Sequence, residues 1–214
     1  MEAIVIPDRV GNTILAIDPG ESRSGMVVLV DYILIEAFYL ENSLLFEKVT
    51  DYNVGNDLLV LVEDIQPYLG RLSPNVIETS KWIGELKYRL KMASIEFELI
   101  KRSEVKQYVF NSFPELVHPK ISKRIERKGY VTKDGEFRKP QFMWVNDQLV
   151  QIAMRTHWEV PKPWSRNKYG LESHSWQALG VATCFINRSE ETLCPVDNST
   201  YSNKNGLVDE KSEP

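Results

Sequence analysis

The sequence predicts an α/β protein: a mixed five-stranded sheet flanked by helices. Three observations predict it. Three strand-like apolar runs come first, inside residues 13–39. Two more follow, each after a segment that reads as helix, and helical spacing then dominates. A meander followed by helix-linked strands gives antiparallel pairing on one side of a sheet and parallel pairing on the other. Finally, two of the apolar runs end in a carboxylate, Asp18 and Glu63, and sites in open α/β sheets form at the carboxyl ends of strands.

The chain has 214 residues, enough for one domain with a sizeable core. At 43% hydrophobic and 26% charged residues it is neither a disordered protein nor a small disulfide scaffold. No run of about 18 apolar residues is present, so no transmembrane helix is expected. The opening residues lack a basic segment followed by an apolar one, so no secretory signal is read. Cys184 and Cys194 have no metal-ligand spacing, and so few cysteines suit a reducing cytoplasm.

The elements follow in order. Thr13 to Asp18 is a buried strand delivering Asp18 to its end, before the tight turn Pro19-Gly20. Met26 to Val30 and Ile33 to Tyr39 are strands, and the short break at Asp31-Tyr32 suits a hairpin. Glu41 to Asn56 reads as helix plus loop, and Asp57 to Glu63 repeats the pattern of an apolar strand ending in an acid. Pro74 to Met92 has helical spacing, with Val76, Ile77, Trp82, Ile83, Leu86 and Leu90 as its apolar stripe and Pro74 in the first turn. Ile95 to Ile100 is the fifth strand. Ser103 reads as the N-cap of a short helix. Tyr130 to Phe137 reads as a hairpin around Asp134-Gly135. Asn146-Asp147 caps a helix to about Trp158; Asp147 could lie near the site of the strand-end acids, but its simplest role is N-cap, and the last helix is expected from near Glu172 to about Ile186.

Charge is segregated. From Ser189 to Pro214 six acids face two lysines, a balance of −4 that equals the net charge of the whole chain. Residues 1–188 therefore sum to zero, yet Lys120 to Lys139 holds eight basic residues against three acids. Segregated charge speaks about partners more than the total does.

Two acids at strand ends suggest a divalent-cation site, since Mg²⁺ and Mn²⁺ take oxygen ligands and a pair of such ions can serve phosphoryl transfer. An acid also ends a strand simply because the loop is solvated, and Glu63 alone is open to that reading. Asp18 is less so, because the turn Pro19-Gly20 sets it beside exposed backbone amides.

The segment Ile17-Asp18-Pro19-Gly20 with Ser24-Gly25 resembles the opening of the RuvC-type Holliday-junction resolvases, members of the ribonuclease H-like nuclease fold. Val62-Glu63 resembles their second catalytic motif, and Val105-Lys106-Gln107 a segment after their fifth strand. His174 to Leu179 resembles their final helix. Glu78-Thr79, Trp82-Ile83-Gly84 and Arg102 with Val105-Lys106 look closer to a phage-borne branch. The resemblance runs with gaps from about Thr13 to Ile186.

It implies a site of Asp18, Glu63 and His174, with Asp18 shared between two metal ions and Glu63 and His174 holding one each. Mg²⁺ or Mn²⁺ is the implied cofactor, with imidazole better suited to Mn²⁺. Lys106 would neutralise charge developing on phosphate; otherwise it is a solvated helix lysine. A lone histidine such as His174 is otherwise a surface or capping residue. Gln177 stands where the bacterial pattern has its last aspartate, one helical turn after His174, so position is kept and charge lost. Glu172 could substitute as ligand, though a helix N-terminus favours an acid there in any case. Trp82, Trp144, Trp158 and Trp176 read as core or interface.

Within the basic segment, Ile121 and Ile125 can dock one helical face while Lys123, Arg124, Arg127 and Lys128 point outward to phosphates. The bland alternative is a solvated charged loop. The expected organisation is a ribonuclease H-like RuvC-type nuclease domain over 1–188, with a basic insertion at about 114–142, and a disordered acidic tail over 189–214. The expected activity is two-metal hydrolysis of branched DNA such as Holliday junctions by a phage-type cytoplasmic homodimer without membrane association. The alternatives are a nuclease of this fold acting on flaps, forks or RNA hybrids, and a non-catalytic nucleic-acid-binding protein retaining the fold.

Overall fold

A computed structural model describes residues 13–53, 58–65, 73–120, 145–160 and 169–193. Five strands form one sheet: β1 (Thr13–Asp18), β2 (Arg23–Val30), β3 (Ile33–Glu41), β4 (Leu58–Asp64) and β5 (Glu96–Lys101). Their order is β3-β2-β1-β4-β5. The β1–β2 and β2–β3 pairs are antiparallel, and the β1–β4 and β4–β5 pairs are parallel. The β2–β3 hairpin turns at Asp31 and Tyr32, both at positive φ (48° and 63°). Positive φ at both central residues matches the twist of the strands it joins.

Five helices are labelled here: α1 (Asn42–Asp51), α2 (Pro74–Met92), α3 (Arg102–Ser112), α4 (Asp147–His157) and α5 (Ser175–Leu193). Successive strand side chains point to opposite faces, and the packing follows that alternation. Leu15, Ile17, Val60 and Val62 pack with Trp82, Leu86 and Leu90 of α2 and with Leu45 and Val49 of α1. Ile14, Ala16, Leu61 and Ile100 pack on the other face with α3, α4 and α5. Asp18 continues the parity of Ile14 and Ala16, and Glu63 that of Leu61. Both acids therefore leave the sheet on the α5 side, at the same end.

Three helix starts differ from the sequence reading. The chain passes from β5 straight into α3, with Lys101 at the cap position and Ser103 inside the first turn. That sets Arg102 at the very end of the sheet, because Glu63 and Asp64 pair with Ile100 and Lys101. Asn146, not Asp147, caps α4: its side chain accepts from the Leu149 N–H at 3.0 Å. The last helix begins at Ser175 rather than near Glu172 because Ser173 sits at φ 43°, outside the helical region. It also continues to Leu193, past the expected end at Ile186.

The segment from 114 opens as helix over 114–120, with Val117 fully buried. Lys123, Arg124, Arg127, Lys128, Trp144 and the hairpin expected at Tyr130 to Phe137 lie outside the described residues, as does the tail from 194 onward. Trp82 and Trp176 are core residues, and the Trp158 indole donates to Thr183 Oγ1 at 2.9 Å. Among the described residues no helix is long and apolar enough to cross a membrane.

Candidate metal centre at the carboxyl ends of β1 and β4

β1 and β4 run side by side, with Ile17 opposite Val62. The next residues are Asp18 and Glu63, and both are almost fully buried, at 1% and 2% exposure. Burial and then Asp18 push the Glu63 carboxyl well above its usual range. Burial raises Asp18 as well, to about 6. Two carboxyl groups held together away from water resist double ionisation. Asp18 Oδ1 and Glu63 Oε2 are buried without a hydrogen-bond partner.

His174 immediately precedes α5, and its carbonyl accepts from the N–H groups of Gln177 and Ala178. Its Nδ1 lies 2.5 Å from Asp18 Oδ2. Burial first, then the Arg102 charge, lower the His174 pKa. The Asp147 and Glu63 carboxylates pull the other way without reversing the direction, so the neutral ring is favoured. A neutral ring that donates through Nδ1 keeps a lone pair on Nε2. The ring stacks on Tyr39 of β3 at 5.7 Å between centroids, and the Arg23 guanidinium covers that tyrosine at 4.2 Å.

The glycines of the first motif have steric reasons. A Cβ on Gly25 would sit 2.2 Å from the His174 carbonyl carbon and the Ser175 nitrogen, so only glycine lets α5 begin against β2. A Cβ on Gly20 would sit 2.2 Å from the Arg23 carbonyl oxygen. The turn between them is tied down from behind. Trp82 Nε1–H donates to Ser24 Oγ (3.2 Å), the Ser24 hydroxyl donates to Asn42 Oδ1 (2.7 Å), and the Asn42 amide donates to the Gly20 carbonyl (3.1 Å).

Two residues outside the expected set join the cluster. The Arg102 guanidinium lies 3.6 Å from Glu63 Oε2 and 2.6 Å from Asp147 Oδ1. Burial opposes its charge, but Glu63 and then Asp147 more than compensate, and its pKa rises. Capping by Asn146 releases the Asp147 side chain for this bridge. Gln177 Nε2 donates to the Asp147 carbonyl at 2.9 Å, so the amide at the expected acid position fixes the start of α4. Lys106 is half-buried on α3, one turn beyond Arg102 and on the same helix face. Glu172 precedes α5, is exposed, and makes its turn through the backbone, its N–H donating to Ser175 Oγ.

The donor set suits a hard divalent cation: two buried carboxylates, each with an oxygen that accepts no hydrogen bond, and an imidazole. Among the described residues these donors pair off with one another and with Arg102, and no group of three converges as a formed metal cage.

No family model and no curated protein matches the sequence. Solved structures do. The chain is similar to the Thermus thermophilus RuvC structure, with a TM-score of 0.52 and 12% identity over 84% of this chain and 96% of that one. It is similar also to T. thermophilus RuvC in complex with a Holliday junction substrate, with a TM-score of 0.51 and 13% identity over the same shares. The fold is thus the ribonuclease H-like, RuvC-type α/β architecture.

Proposed function

We propose that this protein is a divalent-metal-dependent endonuclease that cuts branched DNA such as Holliday junctions. One feature supports the reading above all: Asp18 and Glu63 follow paired residues of adjacent strands in a RuvC-like sheet, and His174, from far along the chain, lies against Asp18. The solved relative bound to a Holliday junction supports the same substrate class for this chain.

Asp18, Glu63 and His174 would hold Mg²⁺ or Mn²⁺, which would supply an activated water and neutralise the scissile phosphate. Asp18 stands between the other two donors, and Tyr39 fixes the orientation of the His174 ring. The apolar packing beneath the carboxylates keeps bulk water from weakening their field. Lys106, one turn beyond Arg102 on α3, would offset charge building on the phosphate oxygens. Lys123, Arg124, Arg127 and Lys128 would hold the DNA arms through phosphate contacts.

A homodimer belongs to this proposal, because a four-way junction presents two symmetric scissile strands. The outward stripe of α2, with Tyr88 65% and Met92 68% exposed, supports it. The phage-type assignment rests on the segments around Glu78, Trp82 and Arg102 alone, and the cytoplasmic one on composition.

The test is a labelled four-way junction beside a linear duplex of matching sequence, each with Mg²⁺ or Mn²⁺. Paired nicks in the junction and an intact duplex are expected. Equal cutting of both would remove the branched-DNA assignment, and no cutting of either would remove the enzyme.

A further inference from the structure

The centre contains a cation of its own. Arg102 bridges Glu63 Oε2 (3.6 Å) and Asp147 Oδ1 (2.6 Å), while Asp18 turns to His174 on the other side. The cluster is thereby divided into two halves. In one half, Asp18 lies against the His174 ring, and among the described residues no arginine or lysine is in hydrogen-bond contact with it. The other, Glu63 with Asp147, already holds a guanidinium. The charges agree with that division. With all three carboxylates ionised, as a bound cation would favour, they and the one guanidinium leave −2, which a single divalent ion cancels. A second divalent ion would leave +2 in a largely buried site, before any phosphate arrives. Gln177 sharpens the effect, because an amide there adds no negative charge to offset Arg102.

We propose that Arg102 holds the place of a second divalent ion, so that the protein alone takes one ion, at Asp18, His174 and Glu63. This inference rests on the metal-nuclease reading and revises its expectation of two ions. Arg102 is a positioning residue: it is fixed by Asp147, and it sets the number of ions by repulsion. Two like-signed charges a few ångströms apart in a partly buried site repel by several times the thermal energy. Arginine suits the task because its planar fork can face two carboxylates at once and keeps its charge at every accessible pH. Its side chain is about one-third exposed, at 32%, so it has a route out of the cluster when a phosphate competes for it.

The experiment counts Mn²⁺ ions bound to the full chain, without DNA, by electron paramagnetic resonance of the unbound ion. Wild type is expected to take one Mn²⁺ per chain. Arg102→Gln should take two, as a magnetically coupled pair, and should hold the first at least about tenfold more tightly. Arg102→Lys keeps the charge and should return the count to one. Two ions in wild type would overturn the inference with no variant needed, which keeps the test decisive if Arg102→Gln folds poorly. A count of one in a folded Arg102→Gln, with unchanged affinity, would also overturn it while the nuclease reading stands. No Mn²⁺ bound by either protein would remove both.

Discussion

Replacing Asp18 by asparagine tests the electrostatics of the site through stability rather than rate. The side chain is 1% exposed, and its carboxyl is raised from 3.8 to about 6, chiefly by burial. An elevation of that size corresponds to roughly 3 kcal/mol between the protonated and ionised forms. Because the folded pKa is the higher one, the stability this group contributes is fully present below about pH 4 and is lost as pH rises through about 6. At about pH 7.5 in EDTA the ionised carboxylate therefore weighs against folding. Asparagine is isosteric, carries no charge and keeps an oxygen toward His174. Asp18→Asn should gain about 2–3 kcal/mol under those conditions. For a chain of this length that is a rise in melting temperature of roughly 5–10 °C. The gain should vanish near pH 4, where both proteins are neutral at this position. With Mn²⁺ added, the order should reverse, because an ion that binds the native state stabilises only the protein that can hold it. Thermal melts followed by circular dichroism at the two pH values, with EDTA and with Mn²⁺, measure all of this. An equal or lower melting temperature for Asp18→Asn near pH 7.5 in EDTA would refute the account of a strained carboxyl pair.

Three other substitutions probe the rest of the site. Gly25→Ala places a methyl 2.2 Å from the start of α5, so it should cost about 1–3 kcal/mol in a urea melt and abolish junction cleavage by displacing His174. Gln177→Ala removes one hydrogen bond to the Asp147 carbonyl and should cost only about 1 kcal/mol, with cleavage largely retained under saturating Mn²⁺. Joint replacement of Lys123, Arg124, Arg127 and Lys128 by alanine should weaken junction binding and reduce its log–log salt slope by up to roughly 3–4 units, at about 0.9 per phosphate contact. An unchanged slope with lost activity would mean that the segment shapes the site and does not grip DNA.

The legible part of this site is the part that secondary structure places. Asp18 and Glu63 end apolar runs, and the two-residue period of a strand fixes which face each acid leaves by. The hairpin at Asp31-Tyr32 was readable from its length alone. His174 was reached only through a family resemblance, since a lone histidine has no periodic signature. The bridge from Arg102 to Asp147 spans 45 positions and depends on where two helices start. Sequence reading started α3 near Ser103 and gave Asp147 the α4 cap as its simplest role, so Asp147 near the site stayed an alternative and its bridge to Arg102 was not read. Ser103 and Asp147 are good capping types, but an uninterrupted strand-to-helix turn and a better-placed asparagine took the two roles. Gln177 read as a lost charge, whereas its amide has a structural task that composition cannot reveal. Tyr39 was assigned only to a strand, because nothing in sequence shows that it will lie under an imidazole.

The contact between Asp18 and His174 joins residues 156 positions apart. Its helix packs across β1, β2 and β4, the middle of the sheet. Contacts of such long range bring a large entropy loss before any of their energy is returned, so they form late in folding. The two carboxylates can meet as soon as β4 docks beside β1, while the imidazole and the helix that covers them come from the last of the described segments. A chain still leaving the ribosome thus carries an acidic pair with no histidine beside it. Under the proposed function, the candidate site is complete only once α5 has packed across the sheet and brought His174 to Asp18, so a shorter chain would lack the imidazole of its site.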